Sequence, residues 1–249
     1  MRILLVSDLH YSLRQFDWVV QVAASYDLVV VAGDSLDISS TVSMDAQVIV
    51  VLKYLSLLKA RGQVAVSSGN HDLTGPDEQG EQAALWLAGA RQAGVPTDGD
   101  SLLLADTLVT ICPWWDGPLG RIALEQQLAA DALRRPARWI WVYHWPPLGS
   151  PTCWTGKRYY GDADVAAWIA QYAPDVVLTG HVHQPPFKPD GAWADRIGAS
   201  WVFNAGNQVG PVPSHIEIDL AAGSACWRSL LGEETLELAA SAGPARTVF

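Results

Sequence analysis

The sequence predicts an α/β fold that begins with a parallel sheet, and three observations carry this reading. Apolar runs at residues 2–6, 28–31 and 63–66 alternate with stretches whose apolar residues recur at helical spacing. This is the βαβαβ order of a sheet built with right-handed crossovers. Each run stops at a polar cluster: Ser7-Asp8-Leu9-His10, then Gly33-Asp34-Ser35-Leu36-Asp37, then Gly69-Asn70-His71-Asp72. Functional groups of such sheets sit beyond the carboxyl ends of the strands. The last third of the chain is strand-like.

Taken in order, Ile3-Leu4-Leu5-Val6 has the unbroken apolar character of a strand covered on both faces. Leu13, Phe16, Val19, Val20 and Ala23 then predict a helix over residues 12–25. Leu28-Val29-Val30-Val31 is a second buried strand. Ser40 or Thr41 can cap a helix with apolar face Val48, Val51, Leu52, Leu55 and Leu58, closed near Gly62. Residues 63–66 form the third strand. A helix is expected over 82–93, stopped by Gly94, and then a hairpin of 101–105 and 108–112 around Asp106-Thr107. Residues 113–118 read as loop and 121–133 as helix, with Pro136 beyond its end. Trp139-Ile140-Trp141-Val142-Tyr143 reads as a strand ending at His144. After a Gly/Pro-rich loop come a helix over 164–172 and a strand over 175–178, which ends in Gly180-His181-Val182-His183. Residues 201–204, 215–220 and 225–230 complete the strands. A single domain over residues 1–231 accounts for these elements, and the Ala/Glu-rich residues 232–249 are set apart as a tail of undefined structure.

The bulk composition narrows the function classes. With 249 residues, 49% apolar and 17% charged, the chain can bury a full core and is not of disordered composition. No apolar run approaches the roughly 20 residues of a membrane span, and the first polar cluster arrives too early for a signal peptide, so a cytoplasmic location is expected. The cysteines, Cys112, Cys153 and Cys226, are odd in number and lack metal-type spacing, so neither a disulfide framework nor a thiolate zinc site is expected. A formal charge of −10 disfavours a grip on extended nucleic acid. An anionic substrate would then need a local positive source, which bound metal ions can supply.

Of the 6 histidines, all but His215 follow a predicted strand, and His10, His71, His181 and His183 lie in compact clusters with Asp, Asn or a second His. Imidazole with carboxylate and amide oxygen suits Zn, Mn or Fe. The candidate ligands are Asp8, His10, Asp34, Asn70, His144, His181 and His183. That is too many for one catalytic metal with an open position and suits two metals sharing a carboxylate.

Asp8-x-His10, Gly33-Asp34-x-x-Asp37, Gly69-Asn70-His71-Asp72, His144 and Gly180-His181-x-His183 together resemble the five-block signature of the calcineurin-like metallophosphoesterases, in that family's order. Phe203-Asn204-Ala205-Gly206 further resembles the strand-end Asn-Pro-Gly of small phosphodiesterase members, with alanine in place of proline. The resemblance implies two packed mixed β-sheets flanked by helices. It also implies one metal at Asp8, His10, Asp34 and His183, and a second at Asp34, Asn70, His144 and His181, with Asp34 bridging. His71 would be the general acid, with Asp72 orienting it. Two divalent or mixed-valence ions about 3.5–4 Å apart would then generate a bridging hydroxide and clamp an in-line displacement. Imidazole protonation of the leaving oxygen contributes about 10²–10⁴-fold.

Simpler readings stand beside these. Asp8 and Asp34 also fit helix N-caps, His181 and His183 could merely alternate across a strand end, and Asp72 could only brace a turn. Asp37 and His215 read as structural. Trp114, Trp115, Trp145 and Trp154 could stack on a base or aryl group, though packing of loops over the sheet is the favoured reading; Lys157 and Arg158 read as solvated surface.

Within the resemblance, Ile38-Ser39-Ser40 replaces the Arg-Gly of Ser/Thr protein phosphatases, and Asp72 stands where those enzymes carry Glu. His71 departs from the arginine of the lipid A pathway pyrophosphohydrolases. The expected function is therefore dinuclear hydrolysis of small phosphodiesters or phosphomonoesters, nucleotides among them. The alternative from another class is a catalytically silent metal-binding scaffold for protein contacts.

Overall fold

Side-chain alternation along the first strand sets the layering. In the computed structural model, which describes residues 1–238, strand β1 (Arg2–Val6) sends Ile3 and Leu5 to one side and Leu4 and Val6 to the other, all of them buried. The chain continues through α1 (Leu13–Val22), β2 (Leu28–Ala32), α2 (Met44–Lys59), β3 (Gln63–Ser67), β4 (Gly75–Pro76), β5 (Gln82–Ala83) and α3 (Leu87–Gln92). Next come β6 (Ser101–Leu104), β7 (Thr107–Ile111), α4 (Pro118–Arg134), β8 (Arg138–Val142), α5 (Ala163–Tyr172) and β9 (Val176–Thr179). Strands β10 (Ala194–Ile197), β11 (Ser200–Asn204), β12 (His215–Asp219), β13 (Ser224–Ser229) and β14 (Gly232–Glu237) follow.

Two six-stranded sheets result, in the orders β14-β13-β12-β1-β2-β3 and β10-β11-β9-β8-β7-β6. In the first, β1, β2 and β3 are parallel, with Leu5 opposite Val30 and Val30 opposite Ala65. Strands β12, β13 and β14 extend it antiparallel. In the second, β7, β8, β9 and β11 are parallel, and β6 and β10 close its edges antiparallel. Both sheets are mixed.

The sheets pack face to face. Ile3, Leu5, Leu28, Val30 and Ala65 of one meet Ile111, Ile140, Val142, Leu178 and Phe203 of the other. Outside the first sheet, Leu4, Val6, Val29 and Val31 receive Phe16 and Val19 of α1 and Val51, Leu55 and Leu58 of α2. Outside the second, Trp139, Trp141 and Tyr143 receive Leu124 and Leu128 of α4 and Val165, Trp168 and Ile169 of α5. Each fully buried aliphatic contributes about 1.5–3 kcal/mol of transfer free energy. The unbroken apolar runs are thus strands with a sheet on one face and helices on the other.

Several sequence expectations need correction. The helix expected over residues 82–93 is only α3. Residues 75–83 instead form a small hairpin, β4 against β5, which carries the Glu81 carboxylate to the backbone N–H groups of Leu119 and Gly120 at 2.8 and 2.7 Å. That contact serves orphan donors in the first turn of α4, a helix that begins earlier than expected, with Pro118 in its first turn. Residues 232–237, assigned to the tail, form β14 along β13, with Leu236 opposite Ala225; residues 239–249 lie outside the described residues. Strand β10, an edge strand with Asp195 and Arg196 at its middle, had too polar a pattern to be foreseen. Among the described residues no helix is long and apolar enough to cross a membrane.

Candidate metal centre

The strand ends carry unusual backbone. Asp8, His10, Asp34 and His181 adopt φ of 54°, 42°, 53° and 65°, in the left-handed region. Non-glycine residues held there cost about 1–3 kcal/mol each and cluster at functional sites. Hydrogen bonds between the loops hold them: Asp8 N–H donates to the Gly33 carbonyl at 3.1 Å, and His10 N–H to the Asp34 carbonyl at 2.9 Å. Two glycines make room. A Cβ on Gly33, whose φ is 84°, would lie 2.2 Å from His144 Nδ1, and one on Gly69 would lie 2.2 Å from Asp34 Oδ1.

These turns bring the sequence-selected side chains together. Asp8, His10 and His183 form one group of converging ligand atoms, and Asp34, His144 and His181 another. In the first, His183 Nε2 lies 3.2 Å from Asp8 Oδ1 and 3.1 Å from His10 Nε2. In the second, His144 Nε2 lies 3.2 Å from Asp34 Oδ2, and His181 Nδ1 lies 2.8 Å from Asn70 Oδ1. Asp34 Oδ2 is also 3.9 Å from His10 Nε2, so one carboxylate oxygen faces both groups. His71 joins a third overlapping group with His10 and Asp34, its ring centroid 4.6 Å from that of His10.

The donor set fits metal ions. For metal–ligand bonds of about 2.0–2.1 Å, neighbouring ligand atoms stand roughly 3.0–3.4 Å apart, depending on geometry, close to the contacts above. His144 Nδ1 is 2.6 Å from the Ala32 carbonyl, which fixes the proton on that nitrogen. Nε2 is buried without a hydrogen-bond partner and aimed at Asp34, and His181 Nε2 is likewise unpartnered.

Charge follows from burial and crowding. Burial opposes ionisation of Asp8 and Asp34, yet His144 and the other imidazoles hold both carboxyls below their ordinary range. Burial also opposes a charged His144, but Asp34 and Asp8 outweigh it and raise the imidazole to about 9. His181 is pushed down to about 4, first by burial and then by the charge on His144.

Asp72 corrects an expectation. Its carboxylate accepts the backbone N–H groups of Ser35, Leu36 and Gly69 at 3.3, 3.0 and 2.9 Å, and no hydrogen bond joins it to the His71 ring. It is 0% exposed, and burial followed by repulsion from Asp34 raises its carboxyl to about 7. It therefore braces the loops instead of orienting His71. The groups near His71 Nδ1 are the backbone N–H of Ile38, which donates to it at 3.5 Å, and Asp37, whose Oδ1 lies 4.0 Å away.

Asn204, at the end of β11, ties down the His181–His183 loop. Its amide donates to the carbonyls of Thr152, Gly180 and Val182 at 2.9, 3.1 and 3.0 Å, while its Oδ1 accepts Gly206 N–H at 2.8 Å. Asn207, which sequence reasoning missed, donates to the Asp8 carbonyl at 2.6 Å; its only signal was a polar residue just beyond a buried strand. His215 packs on Trp18, with ring centroids 4.5 Å apart, outside the site. The loop aromatics divide. Trp115 packs with the core beneath α4, and Trp154 bonds the Pro189 carbonyl, but the Trp114 and Trp145 rings lie 5.0 and 5.3 Å from the His181 ring at the candidate centre.

Comparison with known proteins agrees with this architecture. No curated protein sequence matches the chain at a significant level. The protein TT1561 of Thermus thermophilus is 17% identical, with a TM-score of 0.60 over 95% of this chain and 98% of its own. The purple acid phosphatase PPD1 of yellow lupin (Lupinus luteus) is 13% identical, with a TM-score of 0.55 over 95% of this chain and 53% of its own. At these identities the likeness is one of fold. The family model described as Calcineurin-like phosphoesterase matches residues 1–185, which include every clustered ligand. The chain belongs to the calcineurin-like phosphoesterase family and is a metal-dependent phosphoric ester hydrolase.

Proposed function

We propose that this enzyme hydrolyses small phosphodiesters at a pair of divalent cations. Asp8, His10, Asp34 and His183 would hold one cation, and Asp34, Asn70, His144 and His181 the other. The observation that carries this reading is the position of Asp34 Oδ2, 3.2 Å from His144 Nε2 and 3.9 Å from His10 Nε2. Bound there, two cations supply Lewis acidity at the phosphoryl oxygens and an activated water.

The chain's own residues do the rest. Asp34 Oδ1 accepts the backbone N–H of His71 at 2.9 Å, so the carboxylate shared by the two ligand sets also fixes the proposed acid. As the water oxygen bonds to phosphorus and the ester P–O bond breaks, His71 donates a proton to the departing oxygen. The side chains at the site are carboxylates, an amide and imidazoles; its ion pairs are all between Asp and His. A diester monoanion asks less positive charge of such a site than a monoester dianion.

The test combines metal analysis of the purified protein with a panel of mono-, di- and cyclic phosphate esters. We expect two equivalents of metal, a preference for diesters, and a loss of about 10²-fold or more in Asp34→Asn. Full activity in metal-stripped protein would overturn the proposal. So would an inert protein carrying both metals, which is the outcome a binding scaffold would give.

A further inference from the structure

Three aromatic rings surround the outer side of His181. Its ring centroid lies 5.0 Å from Trp114, 5.3 Å from Trp145 and 5.3 Å from Tyr160. Trp114 and Trp145 stack on each other at 4.9 Å and 16°, and Trp145 meets Tyr160 at 5.6 Å. The rings come from two connections, Trp114 from the one after β7 and Trp145 and Tyr160 from opposite ends of the one between β8 and α5, so only the closed fold assembles them.

These rings differ from the tryptophans of the core. Trp139 and Trp141 are 0% and 1% exposed beneath α4 and α5, whereas Tyr160 is 41% exposed and Trp114 and Trp145 are half-buried. Large aromatics left partly open beside a reactive centre are interaction surface. The rings are also held in advance. The backbone N–H of Trp114 donates to Ser68 Oγ at 2.8 Å, just past the end of β3. Tyr160 N–H donates to the Cys153 carbonyl at 2.8 Å, and its loop closes through Thr155 N–H to the Arg158 carbonyl at 3.0 Å. The Arg158 guanidinium lies 5.3 Å over the Tyr160 ring, adding positive charge beside the shelf.

We infer that Trp145 and Tyr160, backed by Trp114, form a stacking subsite for a planar aromatic group, nucleobase or aryl, carried by the phosphate ester. A flat ring is the occupant that partly open aromatic rings, one of them adjoining His144 in sequence, accommodate alongside a bound phosphate. Stacking on aromatic side chains is worth about 1–3 kcal/mol per base, or roughly five- to 150-fold in affinity. The place of the phosphate rests on the phosphoesterase reading above; the shelf itself does not.

The test is calorimetric binding to metal-loaded protein of adenosine monophosphate, phenyl phosphate and ribose 5-phosphate. We expect the two ring-bearing ligands to bind about tenfold more tightly than ribose 5-phosphate. That advantage should shrink to about threefold or less in Trp145→Leu and in Tyr160→Leu, the latter at an exposed position that tolerates change. A matching fall is expected in the ratio of kcat/KM for aryl over alkyl diesters. Tight adenosine monophosphate with weak phenyl phosphate identifies the ring as a nucleobase, and equal affinities for the two identify any aryl group. Equal affinities for all three ligands, or none measurable, would overturn the inference. Hydrolysis without ring preference refutes the shelf alone, while ring preference without hydrolysis of any ester refutes the proposed function alone.

Discussion

The Asp8 carboxylate accepts the backbone N–H of His181, at 3.0 and 3.1 Å, across 173 residues of chain. Asp8 follows β1 of one sheet and His181 follows β9 of the other, so the bond spans the seam between them. A bare carboxylate buried there would be costly. Here it is offset by that N–H, by His183 at 3.2 Å and by His144 at 3.8 Å. The candidate centre can therefore form only once both sheets have packed, and cations that bind it stabilise the packed state by mass action.

That coupling has a pH signature. His144 stands at about 9 against an ordinary 6.5, so its protonation favours the folded, metal-free protein. This contribution is fully present below pH 6.5 and is lost as the pH rises through about 9. A cation held through the same Nε2, as proposed, would have to displace that proton, so apparent metal affinity should rise with pH over the same window. Chelator-treated protein should show a Tm that falls between pH 6.5 and 9 while the extra Tm conferred by added metal grows. A metal-induced Tm shift that is flat or shrinking across this range would contradict the assignment of His144.

His71 and Asp72 are neighbours in sequence with separable effects. His71→Ala should lower kcat for esters with poor leaving groups by about 10²–10⁴-fold while metal content stays at the wild-type level. Asp72→Ala leaves the N–H groups of Ser35, Leu36 and Gly69 without their acceptor, at about 1–3 kcal/mol for each unsatisfied donor. Its main effect should be a lowered denaturation midpoint. An Asp72→Ala protein with wild-type stability and a specifically reduced kcat would restore the orienting role that the geometry removes.

Asn204 touches no ligand atom, yet its amide holds the carbonyls of Gly180 and Val182 on either side of His181. Asn204→Ala should destabilise the fold by about 3 kcal/mol or more by chemical denaturation, because several buried backbone groups lose their partner together. Metal affinity should weaken as the His181–His183 loop loosens. Asn204→Asp, which keeps the acceptor for Gly206 N–H but loses the donors, should fall with alanine and not with the wild type. Wild-type metal affinity in both variants would show that the loop needs no such brace.

What could be read from the chain alone is local. A strand covered on both faces must be apolar along its length, so β1, β2, β3, β8 and β9 announce themselves, and the polar residues just past their ends stand out against them. Asp8, Asp34, Asn70, His71, His181 and His183 were legible for that reason, and the order of the clusters carried the family resemblance. Residues whose work depends on distant neighbours carried no such mark. Residues 82–86 read as the start of a helix, but Gln82 and Ala83 pair with β4 in a hairpin that brings Glu81 to the unfilled first turn of α4. Residues 232–237 look like tail until β13 offers an edge with which to pair. Asp72 sits beside His71 in sequence, yet the direction of its side chain gives it to the backbone of the preceding loop. Trp114, Trp145 and Tyr160 meet only because the connections after β7 and after β8 close over His181. Sequence by itself determined the buried strands and the residue types at their ends, since alternation and burial act over a few residues. Tertiary structure alone decided which groups converge, since convergence depends on the packing of two sheets whose strands lie far apart along the chain.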